Sequence, residues 1–199
     1  MSNNDAYQRQ EQLAKKMVRR DLSAPYSHQG LVQVFTGDGK GKTSAALGCA
    51  IRALGHGLRV FIIFFMKGDY PYGERNILSQ LPNLSLASFG QEKFVDPANI
   101  KPEQIAEAAQ ALAAAREGML SGRYDLVVMD EVNVAAAFKL VPVEEVLRLI
   151  KDKPAGVDLI LTGRLADPRL VQAADLVTEM VKVKHPFDKG IAARKGFEY

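Results

Sequence analysis

The chain has 199 residues, 47% of them hydrophobic and 25% charged, with a net charge of +3. That length suits one packed domain with a short extension rather than two domains, and the composition is that of a soluble globular protein. The longest apolar run, Val60 to Met66, is far shorter than the roughly 20 residues that cross a bilayer, and the polar start MSNNDAYQRQ is no signal peptide, so no membrane partner is expected.

Residues 1–20 carry Arg9, Lys15, Lys16, Arg19 and Arg20 against Asp5 and Glu11, so this segment alone accounts for the net charge. A short charged helical face is usually solvated, and no nucleic-acid partner is expected. Asp5 followed by Gln8 resembles a capping box, and Leu13 and Met17 fall at helical spacing. The expectation is an N-terminal helical arm over residues 1–24 and a single domain over 25–199. SAPYSHQG, residues 23–30, breaks the helical pattern, and LVQVF begins the core as a short apolar strand.

After a glycine-rich turn, Leu47, Ile51 and Leu54 lie on one helical face, and GHG at Gly55 to Gly57 ends that helix. Cys49, the single cysteine, lies within this helix, which excludes an internal disulfide and reads as a buried helix position; the cytoplasm is the expected compartment. RVFIIFFM is a continuous apolar strand of the kind buried on both faces in a parallel sheet. PEQIAEAAQALAAAREGML is an alanine-rich helix, YDLVVMD a strand, VPVEEVLRLIK a helix and VDLILTG a strand. DPRLVQAA gives a short helix and DLVTEMVKVK a last strand. Strands alternating with helices predict an α/β fold, a mainly parallel sheet with helices on both faces joined by right-handed crossovers.

TGDGKGKT, Thr36 to Thr43, lies between the first strand and the first helix of this pattern. In a phosphate-binding loop, backbone N–H groups and the positive end of the following helix cradle phosphates, and glycines leave room for them. Gly37, Gly39 and Gly41 supply that freedom, Lys42 supplies charge, and the Thr43 hydroxyl suits Mg²⁺. Thr36, Asp38 and Lys40 complete the loop, and Thr36 stands where the usual G-x-x-x-x-G-K-[ST] pattern begins with glycine. Lys42 at the place of the third glycine in G-x-G-x-x-G excludes a dinucleotide fingerprint. Downstream, YDLVVMDE delivers Asp130 and Glu131 at the end of an apolar strand, where a phosphate-loop protein completes its Mg²⁺ site. LILTGR places Arg164 after another buried strand, at the carboxyl edge where ligands bind in open α/β sheets. No N-K-x-D segment reads guanine, and no arginine-rich lid is evident beyond what Arg52 and Arg164 could supply. An ATPase or small-molecule kinase of the RecA-like kind remains the alternative to any other use of the loop.

The segments TGDGKGKTSAALG, RALGHG, MKGDYPYGERN, VVMDEVNVA, LVPVEEV, LILTGR and VKHPFDKGIAARKGFEY together resemble the ATP:corrinoid adenosyltransferases, in that family's order from about Gly30 to Tyr199. The resemblance implies a P-loop NTPase-like, RecA-like fold and transfer of the 5′-deoxyadenosyl group of ATP to the Co(I) of a reduced corrinoid, cobalamin or cobyrinic acid a,c-diamide, with triphosphate as the leaving group. It implies ATP lying in the loop in the opposite sense from ordinary phosphate-loop enzymes, contacted by residues 36–43, Arg52 and Arg164. Mg²⁺ would be held at Thr43 and Glu131, with Asp130 beside them. Phe94 in GQEKFVD matches an aromatic that packs against the corrin face and displaces the lower axial ligand. The family's companion tryptophan corresponds to Asp96, and the chain has no tryptophan. The resemblance further implies a homodimer, in which the N-terminal helix caps the corrinoid site, and a flavin-dependent reductase as partner.

Overall fold

The computed structural model describes residues 29–68, 71–91 and 95–199, so the N-terminal arm and Phe94 lie outside the described residues. Six strands form one sheet: β1 (Val32–Thr36), β2 (Val60–Phe64), β3 (Leu84–Ser88), β4 (Leu126–Asp130), β5 (Asp158–Thr162) and β6 (Leu176–Glu179). Their order is β3-β2-β4-β5-β1-β6, and every neighbouring pair is parallel. β2 and β4 are buried at all five positions, as continuous apolar runs covered on both faces must be.

Among the described residues six helices cover the sheet: α1 (Lys42–Gly55), α2 (Gly73–Leu78), α3 (Pro102–Leu120), α4 (Val132–Ala137), α5 (Val143–Asp152) and α6 (Pro168–Ala173). Ala46 and Ala50 of α1 and Leu78 of α2 pack on the face formed by Val60, Ile62, Phe64, Val128 and Ile160. Ala108, Ala111, Ala115 and Met119 of α3, with Val132, Val146 and Leu170 of α4, α5 and α6, pack on Phe61, Ile63, Val127, Met129, Leu159 and Leu161. Successive strand residues point to opposite faces, so each strand feeds both layers in turn. The chain steps along the sheet in one direction through α1 and α2 and returns through α3 to α6 on the opposite face, as right-handed crossovers require.

The expected α/β architecture with helices on both faces is therefore present. Several elements go beyond the sequence reading: α2, β3, α4 and a 3-10 turn over Pro186–Lys189 carry no strong period of their own. The expected last strand over residues 175–184 is cut to Leu176–Glu179, and its exit runs on as an exposed, irregular tail. The α1 terminus is where GHG places it, with Gly57 in the left-handed region at φ 77°. Cys49 is only partly buried. Among the described residues no helix is long and apolar enough to cross a membrane.

Candidate functional site

Parallel strands put all their carboxyl ends on one edge, so four separated segments of sequence converge there. β1 runs into residues 37–41, β2 into Phe65–Lys67, β4 into Glu131 and β5 into Gly163–Arg164. β1 and β4 are kept one strand apart by β5.

The loop after β1 leads directly into α1. Gly41 caps the helix at φ 122°, a backbone conformation that side chains rarely adopt, and no side chain caps the helix end, so its first N–H groups stay open to a ligand. The Lys42 ammonium curls over the loop and donates to the carbonyls of Gly37 and Gly39, 2.7 Å from each. Burial pushes its pKa down, the charge of Glu131 works against that, and the Arg164 charge lowers it further. Gly37 and Gly39 have a cause the sequence does not reveal. A Cβ on either would lie 2.5 or 2.7 Å from the Met180 carbonyl oxygen, because the exit of β6 runs against the loop, and the Gly39 N–H donates to that same oxygen at 2.6 Å. Room for phosphates is thus joined by room for the protein's own chain.

Thr36, the residue in place of the pattern's first glycine, is the last residue of β1, in register with Glu179 of β6. Its hydroxyl accepts from the Ala166 N–H at 3.3 Å, which ties the start of the loop to the segment after β5.

Behind the loop lies a buried polar relay. The Thr162 hydroxyl, at the end of β5, donates to Asp130 Oδ1 at 2.7 Å and accepts from the Glu131 N–H at 2.9 Å. Asp130 is wholly buried, and its Oδ2 accepts from the Lys67 ammonium at 2.6 Å. Lys67 also lies 3.4 Å from the Thr43 hydroxyl. Burial opposes the charge on Lys67, but Asp130 and Glu131 outweigh it, so its pKa is raised. Glu131 starts α4 in the left-handed region at φ 66°; burial and the Asp130 charge raise its pKa, against Lys67, Lys42 and Arg164.

Lys42, Thr43, Lys67 and Glu131 line a cleft of about 740 Å³, within the range of small-molecule sites. Its polar lining includes Gly41, Lys42, Thr43, Lys67, Glu74, Glu131 and Glu198; its apolar lining includes Leu47, Ile51, Ile77 and the C-terminal residues Phe197 and Tyr199. The tail is fastened over the loop by Lys40, whose ammonium donates to the Phe197 carbonyl at 2.7 Å and to Glu198 at 3.0 Å. Hydrogen bonds from Arg194, helped by Lys40, hold the Glu198 carboxyl down to about 2.

Of the residues singled out in the sequence, 36–43, Asp130 and Glu131 gather at one sheet edge. Arg164 is exposed there, and its charge acts on both Lys42 and Glu131. Asp38 is exposed at the loop and acts on Lys42 by charge alone. Arg52 stands exposed in the last turn of α1, about 15 Å along the axis from Lys42, and is not among the residues lining the cleft. Lys67, Thr162 and the C-terminal tail were not legible as site residues. The available signal for Lys67 was its place just past a buried strand, the same signal that marked Arg164.

The donor set also bears on a metal. Among the described residues no group of three His, Cys, Asp or Glu side chains could hold one. Thr43 and Glu131 offer two hard oxygens beside a phosphate cradle, which fits Mg²⁺, an ion that takes one or two protein oxygens and completes its shell with phosphates and water.

The comparisons with known proteins agree with this geometry. Residues 28–199 match the family model "ATP:corrinoid adenosyltransferase BtuR/CobO/CobP". The chain is 33% identical over 196 residues to the corrinoid adenosyltransferase of Escherichia coli K12, covering 98% of this chain and 99% of that one. It is 35% identical over 202 residues to that of Salmonella typhimurium, covering 98% and 99%, and 36% identical over 185 residues to that of Pseudomonas aeruginosa, covering 93% and 91%. A match over nearly the whole chain, together with the phosphate loop and its carboxylate strand at one sheet edge, makes this chain a member of the ATP:corrinoid adenosyltransferase family.

Proposed function

We propose that the cleft at the carboxyl edge of the sheet holds the triphosphate of ATP as a single leaving group while the ribose 5′-carbon is presented to the Co(I) of a corrinoid. The observation that carries this is the convergence of Lys42, Thr43, Lys67 and Glu131 in one cleft around the α1 terminus. The Co(I) electron pair forms the Co–C bond, the C5′–O bond breaks, and both of its electrons leave with triphosphate. No protein base is needed, because the nucleophile carries no proton. What this chemistry asks of the protein is placement and charge. The open N–H groups of α1 and the Lys42 ammonium bind phosphate oxygens, and the buried Asp130–Thr162 pair holds Glu131 in its left-handed pose beside Thr43. Mg²⁺, held by Thr43 and Glu131 together with the phosphates, would neutralise charge on the leaving group. Arg164 adds a further positive charge at the same edge.

Phe94 is read as the aromatic at the lower face of the corrinoid. Phe94→Ala is expected to slow the reaction from Co(II) corrinoid far more than from pre-reduced Co(I), and equal loss in both assays would assign it to packing. The reading also carries a cytoplasmic homodimer served by a flavin-dependent reductase. The exposed apolar residues Val181, Val183 and Phe187 of the C-terminal segment favour a partner surface, and sedimentation checks the dimer.

Incubation with ATP, Mg²⁺ and chemically reduced cobalamin is expected to yield adenosylcobalamin and intact triphosphate in equal amounts. ADP and orthophosphate without a corrinoid product would instead assign the cleft to a RecA-like ATPase or kinase.

A further inference from the structure

Lys67 belongs to no part of the phosphate-loop pattern, yet the fold delivers its ammonium to the cleft beside Thr43. β2 and β4 are neighbours in the sheet with Phe64 in register with Asp130, so the three residues after Phe64 carry Lys67 past the Asp130 side chain. Its backbone is pinned: the N–H donates to the Phe89 carbonyl at 3.0 Å, and its carbonyl accepts from the Ser88 hydroxyl at 2.8 Å and from the Arg75 guanidinium. Tyr72 flanks the head, its ring centroid 5.0 Å from Nζ.

We propose that Lys67 is a second cationic contact of the ATP triphosphate, acting beside Lys42, and that Asp130 serves as its positioning carboxylate rather than as a metal ligand. The inference rests on the reading of the cleft given above. Both Asp130 oxygens are engaged, Oδ1 by Thr162 and Oδ2 by Lys67, and the residue is wholly buried, so it has no oxygen turned to the cleft. Glu131, which does line the cleft, is left as the carboxylate beside Thr43. An ammonium carries three N–H donors. Asp130 and the more distant Thr43 hydroxyl take two, and Lys67 itself lines the cleft between the phosphate loop and Glu131. A purely structural ion pair needs no such exposure to a ligand site. A leaving group with several negative charges is best stabilised by cations whose positions are fixed before the reaction, and the pinned backbone and carboxylate fix this one.

The test is calorimetric titration with inorganic triphosphate, run without Mg²⁺ and repeated with it. Lys67→Met keeps the side-chain stem and removes the charge. It is expected to weaken triphosphate binding about tenfold or more in both buffers, the loss typical of a charge-assisted hydrogen bond, and Lys67→Arg should restore part of it. Lys42→Met is the reference. If Lys42→Met loses affinity and Lys67→Met does not, the Lys67–Asp130 pair is structural and the proposal falls. If neither variant loses affinity, the triphosphate reading of the cleft falls with it. Should Lys67→Met fail to fold because Asp130 is left buried and unpaired, the double variant Lys67→Met with Asp130→Asn removes both charges. The same loss without Mg²⁺ is expected of it, and wild-type affinity in the double variant would overturn the proposal.

Discussion

Thr162→Val tests the buried relay behind the cleft most directly, because the substitution keeps the side-chain shape and deletes only the hydroxyl. That hydroxyl is wholly buried and makes two hydrogen bonds, giving one to Asp130 Oδ1 at 2.7 Å and taking one from the Glu131 N–H at 2.9 Å. Valine leaves an ionisable carboxylate oxygen and a backbone donor without partners. An unsatisfied buried group costs about 1–3 kcal/mol, with charged groups at the upper end, so the variant should lose about 2–5 kcal/mol. Against a total stability of about 5–15 kcal/mol this is a large fraction. Urea unfolding measures it: with a slope of about 2 kcal/mol per molar, the midpoint should fall by about 1–2.5 M at an unchanged slope. Thr162→Ser keeps both bonds and removes one methyl group, so it should lose only about 1 kcal/mol. A Thr162→Val midpoint no lower than that of Thr162→Ser would refute the reasoning, since losing both hydroxyl hydrogen bonds would then cost no more than losing one methyl group.

Two glycines should respond with opposite signs. Gly48→Ala, in mid-helix with open space around its Cβ, is expected to stabilise by about 0.5–1 kcal/mol, whereas Gly39→Ala must push back the Met180 and Val181 carbonyls at 2.7 and 2.8 Å and should destabilise; thermal unfolding of the pair decides it. Glu198 should titrate with an NMR midpoint near 2. Because its folded pKa is depressed, its hold on the tail is complete above the ordinary carboxylate pKa near 4.5 and is lost as pH falls towards 2; a midpoint at 4.5 would mean that Arg194 and Lys40 do not hold the tail in solution. With no three-ligand cluster among the described residues, Mn²⁺ used as a probe for Mg²⁺ should give a bound signal in electron paramagnetic resonance only when ATP is present, and EDTA should stop adenosylcobalamin formation. Tight Mn²⁺ binding without nucleotide would contradict the assignment of the metal to Thr43, Glu131 and phosphates.

The strongly patterned elements were legible in the chain: PEQIAEAAQALAAAREGML is the helix Pro102–Leu120, and the apolar runs before Lys67, Glu131 and Gly163 are the central strands. Their periods are imposed by burial, which acts on each segment wherever its neighbours come from. The short β3, α2 and α4 escaped because elements of five or six residues carry too few apolar repeats to show a period and owe their form to the sheet edge and loops around them. Legible too was the phosphate loop, whose glycines, lysine and threonine act within eight consecutive residues. Their places at the ends of apolar strands extended that to Asp130, Glu131 and Arg164, and resemblance added Arg52 and Phe94.

By itself, then, the sequence determined the fold class, the loop at Thr36–Thr43 and the family, because these depend on periodicity and on residues close together in the chain. The tertiary structure decided what those residues touch. Strand order brings Lys67 against Asp130, 63 residues away, and sets both Lys67 and Glu131 in the lining of one cleft. The exit of β6 explains Gly37 and Gly39, the Ala166 N–H gives Thr36 its partner, and Lys40 draws the C-terminal tail over the loop. Such contacts span most of the chain, and no local pattern encodes them, because they follow from which strands lie side by side.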